Sequence, residues 1–180
     1  MNYDNNKPKI KRRVIFVVLI IITAIIQNTG TRFNGMFSAH TFLLIPLAVS
    51  ISMFEREITA AVLGALAGLL WDLSSGIDGY NMLVIMLISA VCSILISRLM
   101  RNNIVTALVL SVSAIAVFIF LYIMIYIVFD GGGYPLSQIF RFYLPSFILT
   151  SAFIPIYYYL IKMIFNFIMI QQWYQPVHKI

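Results

Sequence analysis

The stretch Arg56–Gly79, REITAAVLGALAGLLWDLSSGIDG, decides how the chain is read. Within it Ala60, Gly64, Gly68 and Asp72 recur at intervals of four, so a helix gathers them into one stripe of small residues closed by a carboxylate. Such a stripe needs a second helix against it. In lipid the hydrophobic effect does not drive one helix onto another, and close backbone approach at glycine and alanine supplies much of the association. Polar groups must then face protein, which places Asp72 inside a bundle.

The composition around this stretch points the same way. Hydrophobic residues make up 62% of the 180 and charged residues only 10%, far from the balance of a soluble domain. The fold class is therefore all-α, a polytopic membrane protein. At about 20 apolar residues per span the length accommodates about six transmembrane helices.

Net charge is +6, and its distribution sets the orientation. Residues 1–13 form a basic arm carrying Lys7, Lys9, Lys11, Arg12 and Arg13, residues 14–170 a single six-helix domain, and residues 171–180 a tail. The expected inner side holds those five with Arg56, Arg98, Arg101, Lys162 and Lys179, and the outer side only Arg32 and Arg141. Ten against two places both termini in the cytoplasm. The basic arm has no interleaved aromatic platform for stacking bases and abuts a span, so its expected contact is anionic membrane lipid and not nucleic acid. No small-x-small cleavage site follows Ala24, and the first span is expected to stay uncleaved.

The spans follow from the apolar runs. The first covers about Val14–Gln27, with Thr23 and Gln27 on one face as interhelical hydrogen-bonding groups. The second, about His40–Met53, contains Pro46. The third, Ile58–Trp71, has 14 residues and so about 21 Å of helix against a hydrocarbon core of about 30 Å. Two such short segments imply either a thinned membrane or a hairpin partly surrounded by longer helices. An outer turn, Asp72–Gly79, leads to the fourth span, Tyr80–Ser97, whose Ser89, Ser93 and Ser97 make a second small-residue stripe able to pack on the first. The fifth runs from about Ile104 to Phe129, where Asp130 and three glycines end it. The sixth begins near Leu144, with kinks expected at Pro145 and Pro155, and either continues to Ile170 or turns into the membrane plane from Ile161 to Trp173.

Chemistry has few footholds. Asp72 is either a cap bonded to the following Ser74 and Ser75 turn or a functional contact, and Asp78 reads as a solvated loop residue. Gly64 and Gly68 either pack internally or pair two copies, and Glu55 with Arg56 either marks a cytoplasmic turn or positions a partner. His40, His178 and the lone Cys92 lie without ligand-spaced companions, so neither a metal nor a cofactor is expected. No serine has an evident histidine partner and no phosphate-binding glycine motif is present, so an enzyme is not expected.

In size, span number and basic amino terminus, and in the pattern Arg56, Gly64, Gly68, Asp72, Gly79, the chain resembles the rod shape-determining protein MreD family. Asp78 stands where that family usually has an apolar residue. The resemblance implies a non-enzymatic scaffold of the cell-elongation machinery in the bacterial cytoplasmic (inner) membrane. It implies a fold like the substrate-binding subunits of energy-coupling-factor transporters. The implied partners are MreC, the MreB filament, and RodA with its penicillin-binding transpeptidase. The sites to weigh for helix packing and partner binding are Arg56, Ala60, Gly64, Gly68, Asp72 and Gly79. The same likeness leaves an alternative, a small-molecule binding subunit of a transporter, with Trp71 and Tyr80 flanking its pocket.

Overall fold

The computed structural model describes residues 7–33, 42–75, 79–130 and 136–174, with side chains within 10–29, 42–75, 79–124 and 146–168. Expectations for His40, Asp78, the glycines at 131–133 and the tail beyond 174 lie outside these residues, as do the side chains of Arg32, Asp130, Arg141 and Pro145. Among the described residues the apolar runs form six helices: α1 (Lys7–Phe33), α2 (Leu44–Ser52), α3 (Glu57–Ser75), α4 (Tyr80–Arg98), α5 (Ile104–Asp130) and α6 (Leu136–Tyr174). Four segments are long and apolar enough to cross a membrane: Glu57–Ser75, Tyr80–Arg98, Ile104–Met124 in α5 and Ser146–Ile168 in α6. The chain is an all-α membrane protein.

Successive helices run antiparallel. Arg12 meets Glu55 at one end of the bundle and Gln27 meets Leu44 toward the other. Lys11, Arg12, Arg13, Arg56, Arg98, Arg101 and Lys162 all sit toward the first of these, the basic end. Every helix contributes buried residues to a common core, with Phe16 and Ile20 from α1, Leu47 from α2, Leu63 from α3, Ile85 from α4, Ile115 from α5 and Ile161 from α6.

α2 is the departure from a simple up-and-down bundle. Its nine residues are all buried and reach only about 14 Å. A helix of that length starting from the basic end leaves its Leu44 end at membrane depth, where irregular backbone is tolerated only inside protein. Pro46 falls in its first turn, where an amide hydrogen has no helical partner in any case. The Phe42 carbonyl that a longer helix would have offered to position 46 accepts Ile45 N–H instead, at 3.2 Å.

α3 differs in the other direction. It continues past Trp71 to Ser75, giving 19 residues and about 29 Å, long enough to cross the core. There the Ser74 and Ser75 hydroxyls donate back to the Trp71 carbonyl at 2.8 and 3.1 Å, so both serines satisfy their side chains within the helix in place of a turn. α1 starts at Lys7 and runs to Phe33, so Lys11, Arg12 and Arg13 are helical. α6 starts at Leu136 and passes as one helix through positions 145 and 155 to Tyr174, without a separate in-plane segment.

Candidate functional site

The stripe of α3 closes on α4. A Cβ added at Gly64 would come within 2.7 Å of the Ser89 Cβ and 2.9 Å of the Ile85 carbonyl oxygen, and one added at Gly68 within 2.7 Å of the Asn81 carbonyl carbon. Real Cβ contacts do not approach so closely, so only glycine permits this separation. Ala60, Gly64, Gly68 and Asp72 are all buried along the contact. The opposing stripe supplies Ser89, enclosed against Gly64, and Ser93, whose hydroxyl donates to the Glu55 carbonyl at 2.8 Å. Ser97 reaches Glu57 Oε1 at 3.5 Å.

Asp72 completes the contact in a way that the loop sequence conceals. Gly79, with φ +73°, turns the chain in the left-handed region that a glycine adopts freely, and it stands at the N-cap of α4 with no side chain to cap the helix. The exposed donors of the first turn are bonded from the preceding helix: Asn81 N–H donates to Asp72 Oδ1 at 3.1 Å and Met82 N–H to Asp72 Oδ2 at 2.8 Å. These are the second and third residues of α4, the positions that an N-cap side chain ordinarily serves. A carboxylate also suits the positive end of the helix dipole. Asp72 is 8% exposed and turned into protein. Its carboxylate serves α4 and not the Ser74–Ser75 turn.

The ends of α2 are held by the same device. Leu44 N–H donates to Gln27 Oε1 of α1 at 3.0 Å, and Phe42 N–H to Thr150 Oγ1 of α6 at 3.1 Å. Thr150 in turn donates to the Ser146 carbonyl at 2.6 Å. At the other end Asn102 Nδ2 donates to the Met53 carbonyl at 3.0 Å. Side chains from neighbouring segments thus supply the partners that water gives a soluble helix.

At the basic end Arg12 Nε donates to Glu55 Oε1 at 2.5 Å, with the two side chains 16% and 2% exposed. The Arg12 guanidinium also lies 5.1 Å from the centroid of the Phe165 ring, and Arg13 donates to Thr59 Oγ1 at 3.0 Å. Phe54 packs between Tyr158 and Phe165, with centroids at 6.1 and 5.2 Å. This ties α1, the α2–α3 turn and α6 together. Toward the opposite end Trp71 stacks on Phe118 at 5.1 Å and meets Phe42 at 5.6 Å, while Tyr80 meets Phe118 and Tyr122.

Of the residues singled out in the sequence, Ala60, Gly64, Gly68, Asp72 and Gly79 are gathered at the α3–α4 contact, whereas Arg56 is exposed at the start of α3. Gln27 holds α2, and Thr23 bonds Tyr157 of α6. Sequence reasoning passed over Asn81, Asn102, Thr59 and Thr150. Asn102 carried a signal, being polar beside the Arg101 turn, but Thr150 sits in an apolar run with nothing to mark it. Among the described residues no cluster of His, Cys, Asp or Glu could hold a metal ion. No family model matches the chain, and comparison with curated proteins and with solved structures returned no match either.

Proposed function

We propose that this chain is a membrane scaffold of the bacterial cell-elongation machinery, a protein of the MreD type without catalysis of its own, seated in the cytoplasmic membrane with its basic end inside. The observation that carries the reading is the use made of its polar groups. Asp72, Gln27, Thr150, Asn102 and Ser93 each bond the backbone of a neighbouring segment, which suits a fixed frame for partners better than a reacting or transporting site. In this reading α1 is a further span, and α2 is a buried half-helix that does not face lipid.

We infer the partner surface from the lengths of the helices. α5 continues about three turns beyond Phe118, its contact with Trp71, while α3 stops at Ser75. Phe120 of α5, half a turn beyond Phe118, and Ile148 of α6 are 62% and 63% exposed near the root of that extension. We place the membrane helix of MreC against this face, with MreB, RodA and its transpeptidase reached through MreC or the basic end. Depletion tests the role: rounded, swelling cells support it, and normal shape with a nutrient requirement refutes it. Photocrosslinkers at positions 120 and 148 test the surface, with MreC adducts expected there and not from position 73 on α3.

One observation favours the second reading, a small-molecule binding subunit. The Tyr80 hydroxyl is buried and has no hydrogen-bond partner among the described residues. A ligand acceptor could satisfy it. Against this, Trp71 packs ring on ring with Phe42 and Phe118 and does not stand open at a pocket wall.

A further inference from the structure

At the basic end the outward face of α6 carries a shallow groove of about 390 Å³ lined by Tyr159, Lys162, Met163, Asn166 and Phe167. These positions follow the three- and four-residue steps of a single helix face, so the groove runs along the helix axis, the direction in which an acyl chain lies. Its apolar walls are open: Met163 is 68% and Phe167 61% exposed. One cation stands among them.

Lys162 is held in place. Its ammonium lies 5.7 Å from the centroid of the Tyr158 ring, and Tyr158 is 2% exposed, with its hydroxyl donating to the Asn102 carbonyl at 3.5 Å. A buried, bonded ring is a fixed platform for a cation, whereas a free lysine would lose conformational entropy on binding. Among the described residues no carboxylate pairs with Lys162, and Asn166 sits one helical turn away with an amide able to donate alongside it. The charge of the whole end agrees: seven described basic side chains, Lys11, Arg12, Arg13, Arg56, Arg98, Arg101 and Lys162, share it with only Glu55 and Glu57, and Arg12 already neutralises Glu55.

We propose that this groove is a binding site for one anionic phospholipid. Lys162 and Asn166 hold the headgroup phosphate, Met163 and Phe167 flank it, and Tyr159, one turn back toward the bilayer, receives the glycerol and the upper acyl chain. The Lys162 ammonium calls for a negative charge on the occupant, and the elongated apolar walls select a lipid over a soluble anion.

The test is native mass spectrometry of the full chain in detergent, titrated with phosphatidylglycerol or phosphatidylcholine. The wild-type protein should retain one phosphatidylglycerol in preference to phosphatidylcholine. Lys162→Gln should weaken that retention about fivefold, the worth of one basic side chain at an anionic membrane surface. Lys162→Arg should restore it, and Arg98→Gln, which removes a charge from the same end outside the groove, should leave it unchanged. Equal losses in Lys162→Gln and Arg98→Gln would show diffuse charge attraction and overturn the site, as would no loss in either. A wild-type dimer that Lys162→Gln dissociates, with lipid retention unaltered, would assign the groove to a second copy and overturn it too.

Discussion

The Asp72 carboxylate accepts the Asn81 backbone N–H at 3.1 Å, across the turn that joins α3 to α4. The helix that ends with the small-residue stripe therefore also caps the helix packed on it. Losing the cap leaves two donors of α4 without a partner in the protein. Hydrogen bonds to a charged group contribute about 1.5–3 kcal/mol each in soluble proteins, so Asp72→Ala, which removes two, should destabilise the protein by about 3–6 kcal/mol. Asp72→Asn should recover part of this, because its amide offers one acceptor and turns a donor toward the second N–H. Thermal unfolding in detergent, followed by circular dichroism, ranks the three proteins.

Gly64 and Gly68 should respond differently to alanine. At Gly68 the obstacle is the backbone of Asn81 and Met82, which cannot turn aside, whereas at Gly64 part of the obstacle is the Ser89 side chain. Overpacking costs about 1–3 kcal/mol, with Gly68→Ala expected at or above the upper end and Gly64→Ala below it. Ser89→Gly should relieve Gly64→Ala in part and do nothing for Gly68→Ala. A double-mutant cycle on each pair reads this directly.

How far the sequence went can be judged at these residues. The interval of four from Ala60 to Asp72 was legible because helical periodicity is local, and so was the Ser89–Ser93–Ser97 stripe that faces it. What Asp72 bonds was not legible. Its partners are backbone groups, which carry no residue-type signal, and they lie beyond Gly79. The same holds for α2. An apolar run from His40 to Met53 reads as a short span, but the helix occupies only Leu44–Ser52, and its end groups depend on Gln27, Thr150 and Asn102 from distant parts of the chain. Ser74 and Ser75 misled in the opposite sense, since their hydroxyls bond within the helix where a turn was expected.

Arg12 and Glu55 should behave as a coupled pair. With Glu55 2% exposed, removing Arg12 leaves a buried carboxylate without its cation, and breaking such a pair costs about 3–5 kcal/mol. Arg12→Ala and Glu55→Ala together should cost less than the sum of the two, by about 1–3 kcal/mol. Arg12→Lys should recover only part, because Arg12 also stacks over Phe165 and a lysine lacks the planar group. Unfolding midpoints of the four variants decide it.

The capping of α2 predicts a cost at a residue with no charge. Thr150→Val keeps the shape of the side chain and removes the acceptor for Phe42 N–H, leaving a buried donor unpaired. The expected loss is about 1–3 kcal/mol. Ser151→Ala is the control, since that hydroxyl bonds only its own helix, at the Phe147 carbonyl, and should cost well under half as much. Proteolysis of the detergent-solubilised variants compares the two.

The clasp of α3 on α4 is the central claim, and amide hydrogen exchange at Asn81 and Met82 tests it most directly. Residues at the second and third positions of a helix have no partner within that helix, so their protection depends on Asp72. In an isotope-labelled sample in micelles, both amides should exchange slowly in the wild type. They should exchange at least about tenfold faster in Asp72→Ala, corresponding to about 1.4 kcal/mol of lost protection, while amides near Ile88 stay unchanged. Equal exchange in the two proteins would contradict the account.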